Sequence, residues 1–390
     1  MNFHFTEEQQ AFSDSIRRFA QRELADGALE RAHSQDYPWE IAAKLAHQGL
    51  LGITIKEEDG GIGGTLMDAV IAIQELALVC PKSADVVQAG NFGAIRTFAE
   101  YASPELKERF LPDLIAGKSL LALGMSEPGA GSAVTELKTS AVEDGDYFII
   151  NGSKVFSTHS PHANTFLIYV RFGPGLNGIG SVIVERGTPG FEVGQPSPFM
   201  SGEEWCQLYF ADCRIPKANV LLGPGGFKKQ ISGFNVERIG NSSRSLALGR
   251  HAFNVAREHC LTREQFGRKL CEFQGLQWKF AEMAVKLESA QLLLYRAAVN
   301  ADGGLPSAYE TSVAKFACNM AGWEVSNDAL QAMGGYGYSS EALVEYCVKR
   351  IRGWMIAGGS IEVLKNRIAE DVFERRFDQR PPKVGANNNA

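Results

Sequence analysis

The spacing of apolar residues changes twice along this chain of 390 residues. Over residues 6–117 apolar side chains recur at helical spacing, and Thr6, which precedes two glutamates, has the form of a helix N-cap. From about 120 to 225 the apolar runs shorten to strand length, and from Gly226 the helical spacing returns. The pattern predicts a helical part, a β part and a second helical part, in that order.

The same pattern predicts individual elements. Beyond the helix that Thr6 opens, the helices predicted in the first part cover residues 38–48, 67–80, 85–101 and 104–116. The helices predicted in the last part cover residues 227–262, 273–301, 307–335, 341–352 and about 360–376. Short β-branched and aromatic runs, separated by glycine-containing turns, predict antiparallel strands at 147–150, 166–170, 181–184 and 207–210.

The predicted elements group into an α+β chain of three domains. We predict an N-terminal helical domain at 1–119, a middle antiparallel β domain at 120–225 and a C-terminal helical bundle at 226–378. The remaining segment, 379–390, is predicted to be a flexible tail, because a polar stretch with few apolar residues cannot form a packed core.

Composition narrows the function classes. The formal net charge of −6 argues against a surface that wraps nucleic acid or adheres to anionic membrane. No stretch approaches the ~20 apolar residues that a membrane span needs, and the N-terminus lacks the pattern of a signal peptide. Seven scattered cysteines without CxxC spacing are typical of thiols in a reducing compartment, so we expect a cytoplasmic protein with neither disulfides nor a metal site.

Five polar or glycine-rich segments recur in order along the chain, at 123–132, 151–158, 263–268, 331–338 and 356–363. Glycines and small hydroxyl side chains allow the backbone to approach a planar ring or a phosphate closely. Each segment also has an ordinary structural explanation when taken alone. Phe156 fits a core aromatic residue, Arg263 and Arg268 fit solvated charges, and Gly334 with Gly335 fits a helix C-cap.

Taken together with Phe234–Arg238, the five segments resemble the acyl-CoA dehydrogenase family over nearly the whole chain. The resemblance implies the α+β fold of that family, with a C-terminal four-helix bundle. It implies FAD-dependent α,β-dehydrogenation of an acyl-CoA thioester, with electrons passed to an electron-transferring flavoprotein. It also implies a homo-oligomer, a tetramer or a dimer, in which subunits share the FAD sites.

The resemblance assigns FAD contacts residue by residue. At the flavin and substrate edge of the β domain it places Leu123, Met125, Ser126, Gly131 and Ser132, with Phe156 against the isoalloxazine ring and Thr158 in contact with it. Residues that reach the FAD of a neighbouring subunit are Arg263, Gln265 and Phe266, with Gln274 nearby. The pyrophosphate contacts are Gln331, Gly334 and Gly335, and the adenine end has Ser360 and Glu362, although the family usually has glutamine or aspartate at position 362.

The resemblance also raises the question of the catalytic base. Many members carry the catalytic glutamate at the position that is Gly358 here, while Glu237 matches the base of a subset that includes isovaleryl-CoA dehydrogenase and crotonobetainyl-CoA reductase-like proteins. Gly358 keeps the backbone N–H that binds the thioester carbonyl in the family. Phe234 and Arg238 are implied on the pantetheine side of the pocket and Ser132 at the substrate. The alternative is that Glu237 forms an ordinary pair with Arg238 or with a neighbouring helix.

Several functions remain open at this level. The small residue at position 358 enlarges the pocket and favours a branched, cyclic or bulky acyl group. An enoyl-CoA reductase of the same fold would use the same groups in the opposite direction. A flavin monooxygenase or a C–S lyase on this scaffold fits Glu237 less well, and a non-catalytic scaffold without FAD fits the retained glycines less well. Lys82, Asp85, Asn91 and Arg96 indicate no acyl tail and fit surface positions equally well.

Overall fold

The computed structural model describes residues 4–301 and 305–379, so most of the segment predicted as a tail, from 380 onward, lies outside the described residues. Seven helices come first: α1 Glu7–Glu23, α2 Ala28–His33, α3 Trp39–His47, α4 Leu66–Ala77, α5 Pro81–Asn91, α6 Gly93–Tyr101 and α7 Pro104–Ile115. The Thr6 hydroxyl accepts a hydrogen bond from the Gln9 backbone and caps α1 as predicted.

The helix predicted over 85–101 is two helices. Phe92 is extended and Gly93 has a φ of +62°, a left-handed conformation that glycine adopts at little cost and that ends a right-handed helix. Pro81 at the first turn of α5 starts that helix earlier than predicted, because its missing N–H costs nothing there. The break at Gly93 places the α5–α6 junction against the first helix of the C-terminal part.

The middle part is a mixed sheet. Its strands are β1 Leu121–Gly124, β2 Ser140–Asp144, β3 Tyr147–Thr158, β4 Thr165–Arg171, β5 Ile179–Glu185, β6 Phe191–Val193, β7 Ser197–Pro198, β8 Glu204–Pro216 and β9 Val220–Leu222. They run in the order β6-β8-β3-β2-β4-β5-β9, with β7 beside β8 and β1 beside β4. The prediction of a purely antiparallel domain is wrong in one respect, because β4 pairs in parallel with β1 and at one position with β2. A parallel neighbour requires a crossover connection rather than a hairpin, and local patterning does not reveal it.

Helices return after the sheet: α8 Phe227–Thr262, α9 Gln274–Val299, α10 Ala308–Met333, α11 Gly335–Tyr338, α12 Leu343–Trp354 and α13 Ile361–Val372. A small hairpin, β10 Glu264–Gln265 with β11 Arg268–Lys269, follows α8. Helices α8 and α10 pack backbone against backbone, since a Cβ on Gly249 would lie 2.8 Å from Gly322 Cα. A Cβ on Gly240 would lie 2.7 Å from the Phe92 ring, so α8 also packs closely on the α5–α6 junction.

Two hydrophobic clusters meet where the three parts join. One runs through α1–α5 into the C-terminal helices, and the other joins α6, α7 and the start of α8 to the sheet. Six of the seven cysteines are buried, and all seven are free thiols. Within 4–301 and 305–379, none of the helices combines the length and the apolar character that crossing a membrane would require.

Candidate active site

The two positions predicted as alternative sites of the base lie next to each other. Glu237 is on α8, and Gly358 is in the turn between α12 and α13 with a φ of +70°. A Cβ built on Gly358 would lie 3.9 Å from Glu237 Cγ and 3.7 Å from Lys315 Cε. A carboxylate at either position would therefore lie in the same small volume, although the two positions are separated by more than a hundred residues in sequence.

The Glu237 carboxylate contacts a neighbouring helix rather than Arg238. Gln88 on α5 donates its Nε2 hydrogen to Glu237 Oε2 at 2.6 Å, and the Arg244 guanidinium lies 3.8 Å from Oε1. A Cβ on Gly93 would come within 2.8 Å of Oε2, so glycine at the α5–α6 junction makes room for the carboxylate. Arg238 instead donates to Asn235 Oδ1 and Ser312 Oγ. The Gln88 contact therefore agrees with the alternative in which Glu237 pairs with a neighbouring helix, and 18% of the side chain stays exposed.

Burial sets the proton affinity of Glu237. Only 18% of its side chain is exposed, and desolvation raises the pKa of Glu237 above the ordinary value for glutamate. Arg244, the hydrogen bond from Gln88 and Lys315 oppose this rise without cancelling it. A carboxylate with a raised pKa accepts a proton more readily near neutral pH, as a general base requires.

A buried ion network adjoins Glu237, and the sequence did not reveal it. Arg244 donates to Asp85 Oδ1 at 3.0 Å, and Arg350 donates from Nε to Asp85 Oδ2 at 3.0 Å. Arg350 also holds both oxygens of Glu203, which precedes β8. The ring of Trp354 lies 4.4 Å from the Arg244 guanidinium and 5.1 Å from that of Arg350. Asp85, which fitted a surface residue in the sequence, is thus the buried centre of a network that ties α5, α8 and α12 to the sheet.

The predicted flavin edge forms where β1 ends beside β3. Val155 donates its N–H to Ser126 O at 2.9 Å, and the Ser157 hydroxyl donates to Leu123 O at 2.9 Å. Leu123 and Met125 pack in the same cluster as Phe234, three residues before Glu237. The sheet end that carries these residues therefore lies next to the helix that carries Glu237.

The exposed surface of this edge fits a planar aromatic group. Phe156 has a left-handed φ of +56°, which is strained for a bulky residue, and 58% of it is exposed. Its ring centroid is 4.7 Å from that of Trp205, so two aromatic side chains form an open platform. A Cβ on Gly131 would meet no heavy atom within 4 Å, and Ser132 beside it is exposed. Thr158, partly buried, ends β3 at the same edge.

A buried ion pair supports this loop from below. Lys154 Nζ lies 2.7 Å from Glu127 Oε1, and the same carboxylate accepts the backbone N–H groups of Lys138 and Thr139 at 2.6 and 2.9 Å. These charged hydrogen bonds fix the loop that follows β1. Glu127 and Lys154 were part of the recognised motifs, but their roles appear only when the strands are assembled.

A second group of predicted FAD residues lies at the far end of the bundle. Helices α8 and α10 run in parallel, with Asn241 beside Asn319 and His259 beside Tyr336. From Glu237 to the end of α8 is roughly 38 Å along the helix axis. The residues of this second group are all exposed and comprise Arg263, Gln265, Phe266, Gln274, Gln331, Gly334 and Gly335. Within one chain the structure does not bring them to the Phe156 edge, which is the arrangement expected if each FAD site is completed by another subunit.

Ser360 and Glu362 lie close to Gly358 in sequence but have local structural roles. The Ser360 hydroxyl accepts the Val363 N–H and caps α13. Glu362 is exposed in the first turn, where hydrogen bonds from the helix N-terminus lower its pKa. Their contact with the adenine end stays a prediction.

Comparison with known protein families matches all three parts of the chain. Residues 6–118 match the acyl-CoA dehydrogenase N-terminal domain, 122–213 the middle domain and 224–373 the C-terminal domain. The matches lie in the same order as the three structural parts described above.

Relatives of full length agree with these matches. The chain is 33% identical to a short-chain specific acyl-CoA dehydrogenase of Clostridium acetobutylicum, covering 96% of this chain and 100% of the relative. It is 35% identical to an acryloyl-CoA reductase (NADH) of Anaerotignum propionicum, covering 96% and 97%. The solved structure of butyryl-CoA dehydrogenase from Megasphaera elsdenii has a TM-score of 0.89 and 30% identity, covering 96% and 100%.

Proposed function

This chain belongs to the acyl-CoA dehydrogenase family, whose members are oxidoreductases of CH–CH groups, and from that premise we propose that Glu237 is the base that removes the α-proton of an acyl-CoA thioester. The observation that carries the proposal is the adjacency of Glu237 and Gly358, which puts the only carboxylate of the pair in the volume where the family places its base. FAD, when bound, accepts the β-hydrogen as hydride.

The residues around Glu237 support this role. Gln88 and Arg244 hold the carboxylate in one orientation, and burial makes it a stronger base than an exposed glutamate. The backbone N–H of Gly358 is available to stabilise negative charge on the thioester oxygen. Phe234 and Arg238, on the same face of α8, belong in this proposal to the pantetheine side of the pocket, with Ser132 at the substrate.

Two groups of residues would hold the FAD, one where β1 ends beside β3 and one at the far end of the helical bundle. Leu123, Met125, Ser126, Gly131 and Ser132, with Phe156 and Thr158, offer an open aromatic edge that suits a flavin ring. We propose that Arg263, Gln265, Phe266, Gln274, Gln331, Gly334 and Gly335 serve the FAD of a neighbouring subunit, and that Ser360 and Glu362 lie towards the adenine. Gly334 and Gly335 leave room there, since a Cβ on either would meet no heavy atom within 4 Å.

The exposed apolar surface supports a homo-oligomer, for which we propose a tetramer. Phe266, at the tip of the β10–β11 hairpin, is 95% exposed. Helix α9 carries an exposed apolar stripe with a spacing of seven residues: Trp278, Val285, Leu292 and Val299. Such a stripe in water favours burial against another helix.

We expect Val285→Lys to break this assembly, because a charge would be buried in an apolar interface. The mass in solution, measured by light scattering, should fall from a multiple of the 42.5 kDa chain to a smaller species. Val142→Lys is the matched control, since Val142 is 60% exposed on the β domain and outside the stripe. An unchanged mass for Val285→Lys would exclude α9 from the interface.

The proposal also covers the acyl group, the electron acceptor and the location of the protein. Gly358 leaves space beside Glu237, so we propose a branched, cyclic or otherwise bulky acyl group. We propose an electron-transferring flavoprotein as the electron acceptor, by analogy with the family. A cytoplasmic location suits seven free thiols.

An anaerobic absorbance titration of the purified flavoprotein with straight, branched and cyclic acyl-CoA thioesters tests the proposed function. We expect at least one class to bleach the oxidised flavin, and branched or cyclic thioesters to do so at lower concentration than straight short ones. A yellow protein that no thioester bleaches would contradict dehydrogenase chemistry. A colourless protein would support a scaffold without FAD.

A second candidate function is enoyl-CoA reduction by the same groups in reverse. The observation that favours it is the 35% identity to an acryloyl-CoA reductase (NADH). Reduction of an enoyl-CoA by the chemically reduced enzyme, faster than oxidation of the saturated thioester by the oxidised enzyme, would favour the reductase. Rapid reaction of the reduced flavin with oxygen would instead indicate a monooxygenase, and release of a sulfur oxyanion from a sulfur-substituted thioester would indicate a C–S lyase.

A further inference from the structure

Two side-chain cations flank the Gly358–Gly359 turn, Lys315 buried and Arg238 partly buried. Lys315 is fully buried and donates only to backbone carbonyls, to Trp354 O at 3.0 Å and to Gly359 O at 2.9 Å. Arg238 donates to the neutral side chains of Asn235 and Ser312. Over 4–301 and 305–379, no carboxylate oxygen lies within 4.0 Å of either side-chain cation.

A buried amide donor points at the same place. Asn241 is 1% exposed, and its Oδ1 accepts a hydrogen bond from Asn319 Nδ2 at 3.1 Å. Its own Nδ2 lies 4.0 Å from the position of a Cβ on Gly358 and has no acceptor among the residues that the structure describes. This nitrogen can therefore donate a hydrogen bond to a ligand that enters beside Gly358.

The local charges favour an anion in this space. Three cations, Lys315, Arg238 and Arg244, surround a single carboxylate, Glu237. Desolvation lowers the pKa of Lys315 to about 7 and that of Arg238 to about 10, although the Glu237 charge opposes the shift of Lys315. Glu237 is the nearest carboxylate, but Gln88 and Arg244 already hold it. The position that would supply a second carboxylate is Gly358, which has no side chain.

We infer that the acyl group of the substrate carries a carboxylate close to its α and β carbons, and that this carboxylate occupies the space left by Gly358. Lys315 supplies the counter-charge, Asn241 supplies a hydrogen-bond donor, and Arg238 adds positive potential across the turn. The inference rests on the proposed dehydrogenation and names its substrate class. The carboxylate passes through the reaction unchanged, while the α-proton goes to Glu237 and the β-hydrogen leaves as hydride to FAD.

Repulsion between this carboxylate and Glu237 opposes binding. Binding therefore depends on the attraction of the carboxylate to Lys315 and Arg238. At about 4 Å in a partly buried site, the repulsion of two like charges and the attraction of two opposite charges are of comparable size. Lys315 Cε lies 3.7 Å and Glu237 Cγ 3.9 Å from a Cβ position on Gly358, and Asn241 adds a neutral donor. A neutral acyl group of the same size gains neither contact, which gives the site its selectivity.

The test uses the FAD-loaded oligomer under anaerobic conditions and a pair of thioesters matched in length. The half-saturating concentration for the change in flavin absorbance is measured for succinyl-CoA and 2-methylsuccinyl-CoA, against butyryl-CoA and the methyl ester of succinyl-CoA. We expect the carboxylated thioesters to half-saturate at a concentration at least ~10-fold lower, an energy difference of about 1.4 kcal/mol. Equal or tighter binding of the neutral thioesters would overturn the inference and leave the proposed dehydrogenation intact. If no thioester changes the flavin spectrum, the proposed function fails and the inference fails with it.

Two variants of the glycine give a second measurement that does not depend on removing Lys315. Asparagine and aspartate have the same size and both tolerate a left-handed φ, so Gly358→Asn and Gly358→Asp differ mainly in charge. Both should weaken binding of all thioesters by filling the space. The preference for succinyl-CoA over its methyl ester should be at least ~10-fold lower in Gly358→Asp than in Gly358→Asn, because the aspartate carboxylate pairs with Lys315. The same preference in both variants would overturn the inference.

Discussion

Replacement of Glu237 by glutamine is expected to slow flavin reduction by an acyl-CoA thioester by about 10²–10⁴-fold, the usual contribution of a positioned general base. Glutamine keeps the shape of the side chain and can still accept the hydrogen bond that Gln88 Nε2 donates. It cannot take the α-proton. The measurement is the rate of flavin bleaching in an anaerobic stopped-flow experiment at saturating thioester, with Glu288→Gln, an exposed glutamate on α9, as the matched control.

The pH dependence separates a lost base from a damaged fold. Because burial raises the pKa of Glu237, the wild-type rate should rise with pH through a value above 4.5, and this limb should be absent in Glu237→Gln. The raised pKa also means that the folded state favours the protonated carboxyl. Its contribution to stability is therefore present at low pH and lost as the pH rises through the folded pKa. At pH 7 the Glu237→Gln variant should thus be at least as stable as the wild type. Below the ordinary pKa of glutamate, where Glu237 is protonated in the folded and the unfolded state alike, the variant should have no such advantage in stability. An unaltered bleaching rate would remove Glu237 from the role of base.

Replacement of Arg350 by methionine is expected to destabilise the fold by about 3–5 kcal/mol, the cost of breaking a buried ion pair by removing one partner. Arg350 holds Asp85 at 2.9–3.0 Å and both oxygens of Glu203, and its side chain is 7% exposed. Methionine fills similar space but leaves two buried carboxylates without their main counter-charge. The measurement is the free energy of unfolding in urea at fixed protein and FAD concentrations, with Arg257→Met, which breaks an exposed pair with Glu258, as the control.

The size of this effect should depend on pH. Burial alone would raise the pKa values of Asp85 and Glu203, but the charges around them, Arg350 foremost, hold both pKa values below their ordinary range. In the wild type these carboxylates therefore stabilise the fold above their ordinary pKa values, and that contribution is lost as the pH falls through the folded values. Without Arg350, burial still raises these pKa values, so the destabilisation should be largest at neutral pH and smaller near pH 5. A loss that is the same at both pH values would indicate a packing defect rather than a broken charge network.

The network also connects stability to the site. Glu203 is two residues before Trp205, whose ring contacts Phe156 at the flavin edge, and Arg244 reaches both Asp85 and Glu237. One set of charges therefore fixes the β8 end of the sheet, the packing of α5 on α8 and the orientation of Glu237, the proposed base. Loosening it is expected to weaken FAD retention as well as the fold.

Local patterning accounts for a large part of this protein. The order of helical, β and helical parts was predicted from apolar spacing, and helix α8 was predicted with the bounds that the structure has, 227–262. That helix lacks proline and has long uninterrupted helical spacing, both of which are read from neighbouring residues. The motifs also identified Glu237 and Gly358 as the two positions to compare, and the structure places them side by side.

The assembly of distant segments accounts for the rest. Gln88 and Asp85 lie about 150 residues before their partners on α8, and no periodicity links them. The break at Phe92, the parallel pairing of β1 with β4 and the neighbours of Gly358 likewise depend on what packs against each segment. Periodicity records which face of an element is buried, because a buried face must be apolar along its own length. Which polar groups meet at that face, and therefore the charge and the proton affinity of the site, depends on contacts that form only when the chain is folded.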